Sequence, residues 1–219
     1  MFNLSLPELA RIIPAILVGL TVHELSHAGV ALLLGDDTAR SQGRLTLNPI
    51  KHIDPVGFIL LLLVGFGWAK PVVINRENLR RPSRDDTLIA LAGPAANLLF
   101  ALLLVLLLRL FLFLIIRIAP NITVEALEAI VLVFVSFVTI NIALAVFNLL
   151  PVPPLDGSHL ITNLLSLHSG AISAGFYRYG SLALLAIIVL DRLVKVDLLP
   201  IEGVILAIYN ILLRLVGLA

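Results

Sequence analysis

The sequence predicts an all-α polytopic membrane protein with five or six membrane helices and a small β element between the first two long ones. Composition is the first reason. Hydrophobic residues make up 60% of the 219 residues and charged residues only 13%, against roughly 25% charged in a soluble domain; mean hydropathy is +1.09. The second reason is arrangement: the apolar residues form long runs divided by polar, turn-rich stretches. The third is the alternating stretch GRLTLN, which reads as a short strand. The net charge of +1 is uninformative about nucleic acid, but with no basic, aromatic-laced patch no nucleic-acid partner is expected, and the absence of cysteine excludes disulfides and thiolate metal sites. The lipid bilayer is the expected surroundings of the whole chain, read as a single integral membrane domain over residues 1–219 with no removable signal peptide.

The first helix is expected over about residues 6–34. Ser5-Leu6-Pro7-Glu8 resembles a capping box with proline in the first turn, Pro14 should kink the helix, and Gly35 should stop it. At 1.5 Å per residue it measures about 43 Å, so its first turns lie in the interface. A polar stretch follows, with GRLTLN and PVVIN as candidate strands on either side of the short apolar segment Val56 to Trp68. Arg40, Arg44 and Lys51 precede that segment and Lys70, Arg76, Arg80, Arg81 and Arg84 follow it. The positive-inside rule puts both flanks in the cytoplasm, so the segment reads as re-entrant rather than spanning. Further helices are expected over about residues 87–118 and 124–167, the latter broken at NLLPVPPLDGSH because three prolines lack amide hydrogens. HSGAISAGFYRYG reads as a loop, and accessory helices are expected over about 179–190 and 201–218.

Within the first apolar run lies TVHELSHAG. His23 and His27 are four residues apart, which stacks them on one helical face. Both imidazoles can then reach one metal at about 2.0–2.1 Å, with Glu24 beside them. Zinc lowers the pKa of a coordinated water towards about 7, and a neighbouring carboxylate can take the proton as general base. With five histidines in the chain, chance supplies about 0.003 matches to this pattern. Ionisable residues in a membrane segment are expensive to hold there, and a bound dication offsets that expense.

Zinc needs a third protein ligand and an open position. Glu77, Glu125, Glu128 and Glu202 each lie near an expected loop or helix end. Asp156 sits at the proline break, where freed backbone can line a cavity. An Asp-Gly surface turn is the plainer reading, but a turn at membrane depth would need its own explanation.

HELSH, GRLTLNPIKHIDPVG, GWAKPV, LAGPAAN and NLLPVPPLDG together resemble the site-2 protease family of intramembrane zinc metalloproteases (M50-like), over about Leu20 to Leu160. The resemblance implies a three-helix catalytic core, one Zn2+ per chain on His23, His27 and Asp156, and Glu24 as general base. It also implies that Asn148 holds the substrate backbone or polarises the scissile carbonyl. Asn97, in the AGPAAN match, either faces the active site or bridges helices. The implied reaction is cleavage within the transmembrane segment of a single-pass membrane protein, often to release a regulator. The expected setting is the cell membrane, with the site open to the cytoplasm. The PDZ and CBS domains of many members have no counterpart here, so gating by such domains does not transfer, and the oligomeric state is not legible.

His52 is expected to be a solvated or turn residue, with substrate contact as the alternative, His159 to face the cytoplasm, with support of the metal ligands as the alternative, and His168 to lie in a loop. A zinc-binding membrane transporter would also bury polar residues without requiring HExxH and a distant aspartate. A CAAX-type membrane protease shares HExxH but typically takes a downstream glutamate as its third ligand.

Overall fold

The computed structural model describes residues 5–64, 67–166, 171–194 and 201–218. The helices are α1 (Leu6–Leu34), the single turn α2 (Thr38–Ser41), α3 (Pro55–Val64), α4 (Pro82–Ile118), α5 (Val124–Asn148), α6 (Gly157–Leu164), α7 (Ala171–Val194) and α8 (Ile201–Leu215). At the start of α1 the Ser5 amide donates to Glu8 Oε2 at 2.8 Å, so the glutamate half of the expected capping box is formed. Its end is set by Gly35, at φ 112°, a left-handed conformation that a Cβ would penalise. The Asp36 amide then closes back on the Ala31 carbonyl at 2.9 Å.

α1, α4 and α5 pack on one another and form the core. They are also the three described helices long and apolar enough to cross a membrane. Five or six crossings are therefore not found among the described residues. Among the described residues α3 has 10 residues and α8 has 15, where a span needs about 20. α4 runs antiparallel to α1, with Ile89 against His27 and Asn97 against Gly19. α5 runs parallel to α1, its Leu144 lying against Gly19. α8 returns alongside α5, from the level of Phe147 at Ile201 to that of Val138 and Arg109 at Val216.

Two boundaries differ from expectation. α4 begins at Pro82 rather than residue 87, because proline suits the first helical position and Asp85 accepts the Arg81 amide at 2.8 Å. The expected loop at 168–180 is helical from Ala171 onwards; a polar composition alone does not stop a helix. His168 falls outside the described residues.

The β element is not present as strands among the described residues, where a single isolated bridge joins Ile53 and Ala69. GRLTLN folds instead through local side-chain bonds: Thr46 Oγ1 accepts the Asn48 amide at 3.2 Å, and Asn48 Oδ1 accepts the Ile50 amide at 3.1 Å. The bridge, with the Lys70 amide on the His52 carbonyl at 2.8 Å, returns the chain after α3 to where it entered. That closure supports re-entry over a span.

Two residues of this region depart from the expected solvent-facing role. His52 is fully buried and donates from Nε2 to the Thr46 carbonyl at 2.8 Å. Arg44 is buried too, its guanidinium donating to the Lys51 and Lys70 carbonyls, so it staples the two flanks of α3 together.

Candidate metal centre

His23 and His27 lie buried on the face of α1 turned towards α4, with ring centroids 4.6 Å apart and planes at 83°. α4 comes close because residue 93 is glycine. A Cβ there would stand 2.5 Å from His27 Nε2 and 2.6 Å from His23 Nε2, inside the closest approach real Cβ atoms make. The cradle that faces the two imidazoles is therefore the space a side chain would fill.

Hydrogen bonds settle which ring nitrogens are left free. His27 Nδ1 lies 2.7 Å from the Ile89 carbonyl, which can only accept, so Nδ1 carries the hydrogen. For His23 a chain of side-chain amides decides the tautomer. Asn141 Nδ2 donates to the Phe137 carbonyl at 2.8 Å, which turns its Oδ1 towards Asn97. Asn97 Nδ2 then donates to that Oδ1 at 2.8 Å and to the Gly19 carbonyl at 3.0 Å. Asn97 Oδ1 is left to accept from His23 Nδ1 at 2.6 Å. In both neutral imidazoles Nε2 is therefore an unprotonated donor, the form a metal takes.

The third group comes from the break after α5. The Leu149–Leu155 backbone turns back, Ser158 Oγ donates to the Leu155 carbonyl at 2.6 Å, and Gly157 presses against the Leu149 and Leu150 carbonyls where no Cβ fits. This carries Asp156 over the histidines, its Oδ2 at 3.0 Å from His23 Nε2 and 3.3 Å from His27 Nε2. Oδ2 is buried and has no hydrogen-bond donor. With both imidazoles in the neutral form these three atoms converge through their lone pairs, an arrangement suited to a cation at its centre. Ligands about 2.0–2.1 Å from a tetrahedral metal lie about 3.3 Å apart, so the set fits zinc. Among the described residues this is the one group of three or more such side chains close enough to hold a metal.

A cavity of about 460 Å³ opens beside the triad, and Glu24, His27 and Asp156 all reach it. Pro71, Val72 and Ile74 form one wall, and Tyr177 of α7 another. Glu24 Oε2 accepts the Val72 amide at 3.0 Å. His159 also lines the cavity and is hydrogen-bonded from Nδ1 to Asp86 Oδ2 at 3.1 Å; Asn163 Nδ2 reaches the same oxygen at 2.8 Å. Asp86, buried near the start of α4, thereby ties α6 to α4.

Asn97 is 0% exposed and joins α1, α4 and α5. Asn148 is the last residue of α5; its Nδ2 donates to the Leu144 carbonyl at 2.9 Å, and it is not among the cavity-lining residues. Sequence reasoning missed Gly93, Asn141, Asp86 and Asp36. For Asn141 a signal exists in the lone asparagine of the apolar run VTINIALA, and for Gly93 in the helix-weakening glycine of LAGPAAN.

Residues 11–190 match the family model Peptidase family M50. "Putative zinc metalloprotease YwhC" of Bacillus subtilis (strain 168) is 44% identical over 150 residues, covering 68% of this chain and 66% of that one. "Putative zinc metalloprotease Rip2" of Mycolicibacterium smegmatis is 32% identical over 147 residues, covering 64% and 52%. The namesake from Mycobacterium tuberculosis (strain ATCC 25618 / H37Rv) is 31% identical over 147 residues with the same coverage. The chain thus spans less than two thirds of the length of each of these relatives. No solved structure matches it. The donor set, the carboxylate beside it and the matched family model agree: this chain belongs to peptidase family M50, the site-2 protease family of zinc metalloproteases.

Proposed function

We propose that this chain is an intramembrane zinc metalloendopeptidase of the cell membrane. It hydrolyses a peptide bond within the transmembrane segment of a single-pass membrane protein, releasing a signalling or regulatory product. The observation that carries this is the convergence of His23, His27 and Asp156, with Glu24, His27 and Asp156 reaching one cavity. Zinc, when bound, acts as a Lewis acid and lowers the pKa of a water to about 7. Glu24 would accept a proton from the attacking water and return it to the departing amide nitrogen. Asn148 polarises the scissile carbonyl or holds the substrate backbone, and Asn97 acts from behind through His23.

A substrate helix must unwind before its bond is exposed, and an extended peptide can then pair with a strand edge. Segment 71–75 suits that pairing, because it borders the cavity and Val73 is 52% exposed. The midpoint of His23 and His27 lies nine residues before Leu34, about 14 Å from the helix end at 1.5 Å per residue. The basic residues after it mark that end as cytoplasmic, so the cut falls in the cytoplasmic half of the substrate segment.

Proteomics of cells carrying Glu24→Gln tests this directly. Membrane stubs should accumulate, turnover of the purified variant should fall by about 10²–10⁴, and zinc should stay bound at one per chain. Wild-type turnover by Glu24→Gln, or product termini mapping to the external juxtamembrane region, would refute the mechanism.

A further inference from the structure

Val72 donates its amide to Glu24 Oε2 at 3.0 Å. The donor belongs to an irregular segment that has no strand partner among the described residues. Two buried charges nevertheless fix where it lies. Two residues before Val72, the Arg44 guanidinium holds the Lys70 carbonyl. Three residues after it, the Asn75 amide donates to Asp36 Oδ2 at 2.7 Å, and Asp36 is fully buried at the end of α1. Pro71 has no amide hydrogen, so Val72 is the first donor beyond the Arg44 anchor.

A glutamate beside two imidazoles has several rotamers open to it. The Val72 amide selects one, engages Oε2 and leaves Oε1 for the cavity that Glu24 lines. We propose that the Val72 backbone amide is a positioning group for Glu24, with Arg44 and Asp36 as anchors that hold the amide in place. The proposal rests on the peptidase reading above and deepens it: the same segment that borders the substrate cavity orients the general base. Misplacing a reacting group by about 1 Å can cost about 10²-fold in rate, so the effect belongs in kcat.

Two measurements test it. In protein labelled with ¹⁵N-valine, the Val72 amide should exchange with solvent slowly, and Glu24→Ala should speed its exchange by at least about tenfold. Equal exchange in the two proteins would overturn the proposal, and this arm needs no substitution at Val72. In the zinc-loaded enzyme, Val72→Pro should lower kcat by about 10–100-fold with KM within about twofold. Val72→Ala, which keeps the amide hydrogen, should restore kcat. A rise in KM at constant kcat, or equal kcat in the proline and alanine variants, would overturn the proposal. A wild-type enzyme without zinc-dependent turnover would sink the peptidase reading instead, while the exchange arm would still decide the contact.

Discussion

His23 Nδ1 lies 2.6 Å from Asn97 Oδ1, across 74 residues of chain. The contact makes α4 responsible for the tautomer of a metal donor on α1. Asn97→Leu frees the His23 ring to rotate and change tautomer, and zinc affinity should fall by about 10–100-fold, the usual effect of removing such a partner. Asn141→Leu acts one step further out by releasing the Asn97 amide, and should produce a smaller loss in the same direction. Chelator competition on the purified variants measures both.

Gly93→Ala should abolish zinc binding while leaving the helices intact. The added Cβ meets both Nε2 atoms at 2.5–2.6 Å, and alanine is the better helix former by about 0.5–1 kcal/mol. Gly29, on α1 and with open space where its Cβ would stand, is the matched control. Gly29→Ala should bind zinc like wild type. Zinc content and circular dichroism of the pair separate a blocked site from a damaged fold.

Stability should decline at acid pH through Asp36. Burial pushes this carboxyl up, but hydrogen bonds from Thr38, Asn78 and Asn75 outweigh it and hold the group below its ordinary value. A depressed carboxyl stabilises the fold at pH above its unfolded value of about 3.9, and that contribution disappears as pH falls through the folded value. Asp36→Asn should therefore melt lower than wild type at pH 7, and the two melting curves should converge as pH drops below about 4. A constant gap between them from pH 7 to pH 3 would exclude Asp36 as the titrating group.

Arg109 lies within α4 and donates to the Val216 carbonyl just past the end of α8. A cation there satisfies a helix-terminal carbonyl and complements the negative end of the helix dipole. Arg109→Leu should weaken docking of α8 by about 1.5–3 kcal/mol, typical of a hydrogen bond to a charged group. Limited proteolysis should then cut the 201–218 region first, with zinc content unchanged.

The metal donors are legible in the sequence for a physical reason. A spacing of four fixes two histidines on one helical face, and three prolines advertise the break that frees Asp156. The residues that shape their surroundings are not, because Asn141 and Gly93 act across helix packings whose facing residues no local period reveals. GRLTLN misleads in the opposite way: its alternation is that of a strand, yet Thr46 and Asn48 take the backbone amides into turns before a neighbour can. Arg44 reads as one more cytoplasmic charge until the fold returns Lys70 to its guanidinium.

The Ile53–Ala69 bridge has a topological consequence. Because the chain leaves α3 where it entered, the excursion contributes zero to the parity of membrane traversals between α1 and α4. Odd parity would have set α1 and α4 pointing the same way, with Asn97 and Gly93 at the wrong depth for His23 and His27. As it stands, α3 can be lengthened or trimmed without inverting anything downstream, whereas converting it into a true traverse would send α4 through upside down. The relative direction of α1 and α4 thus depends on the closure formed by the Ile53–Ala69 bridge, the Lys70–His52 bond and the Arg44 staple, all far from the metal donors in sequence.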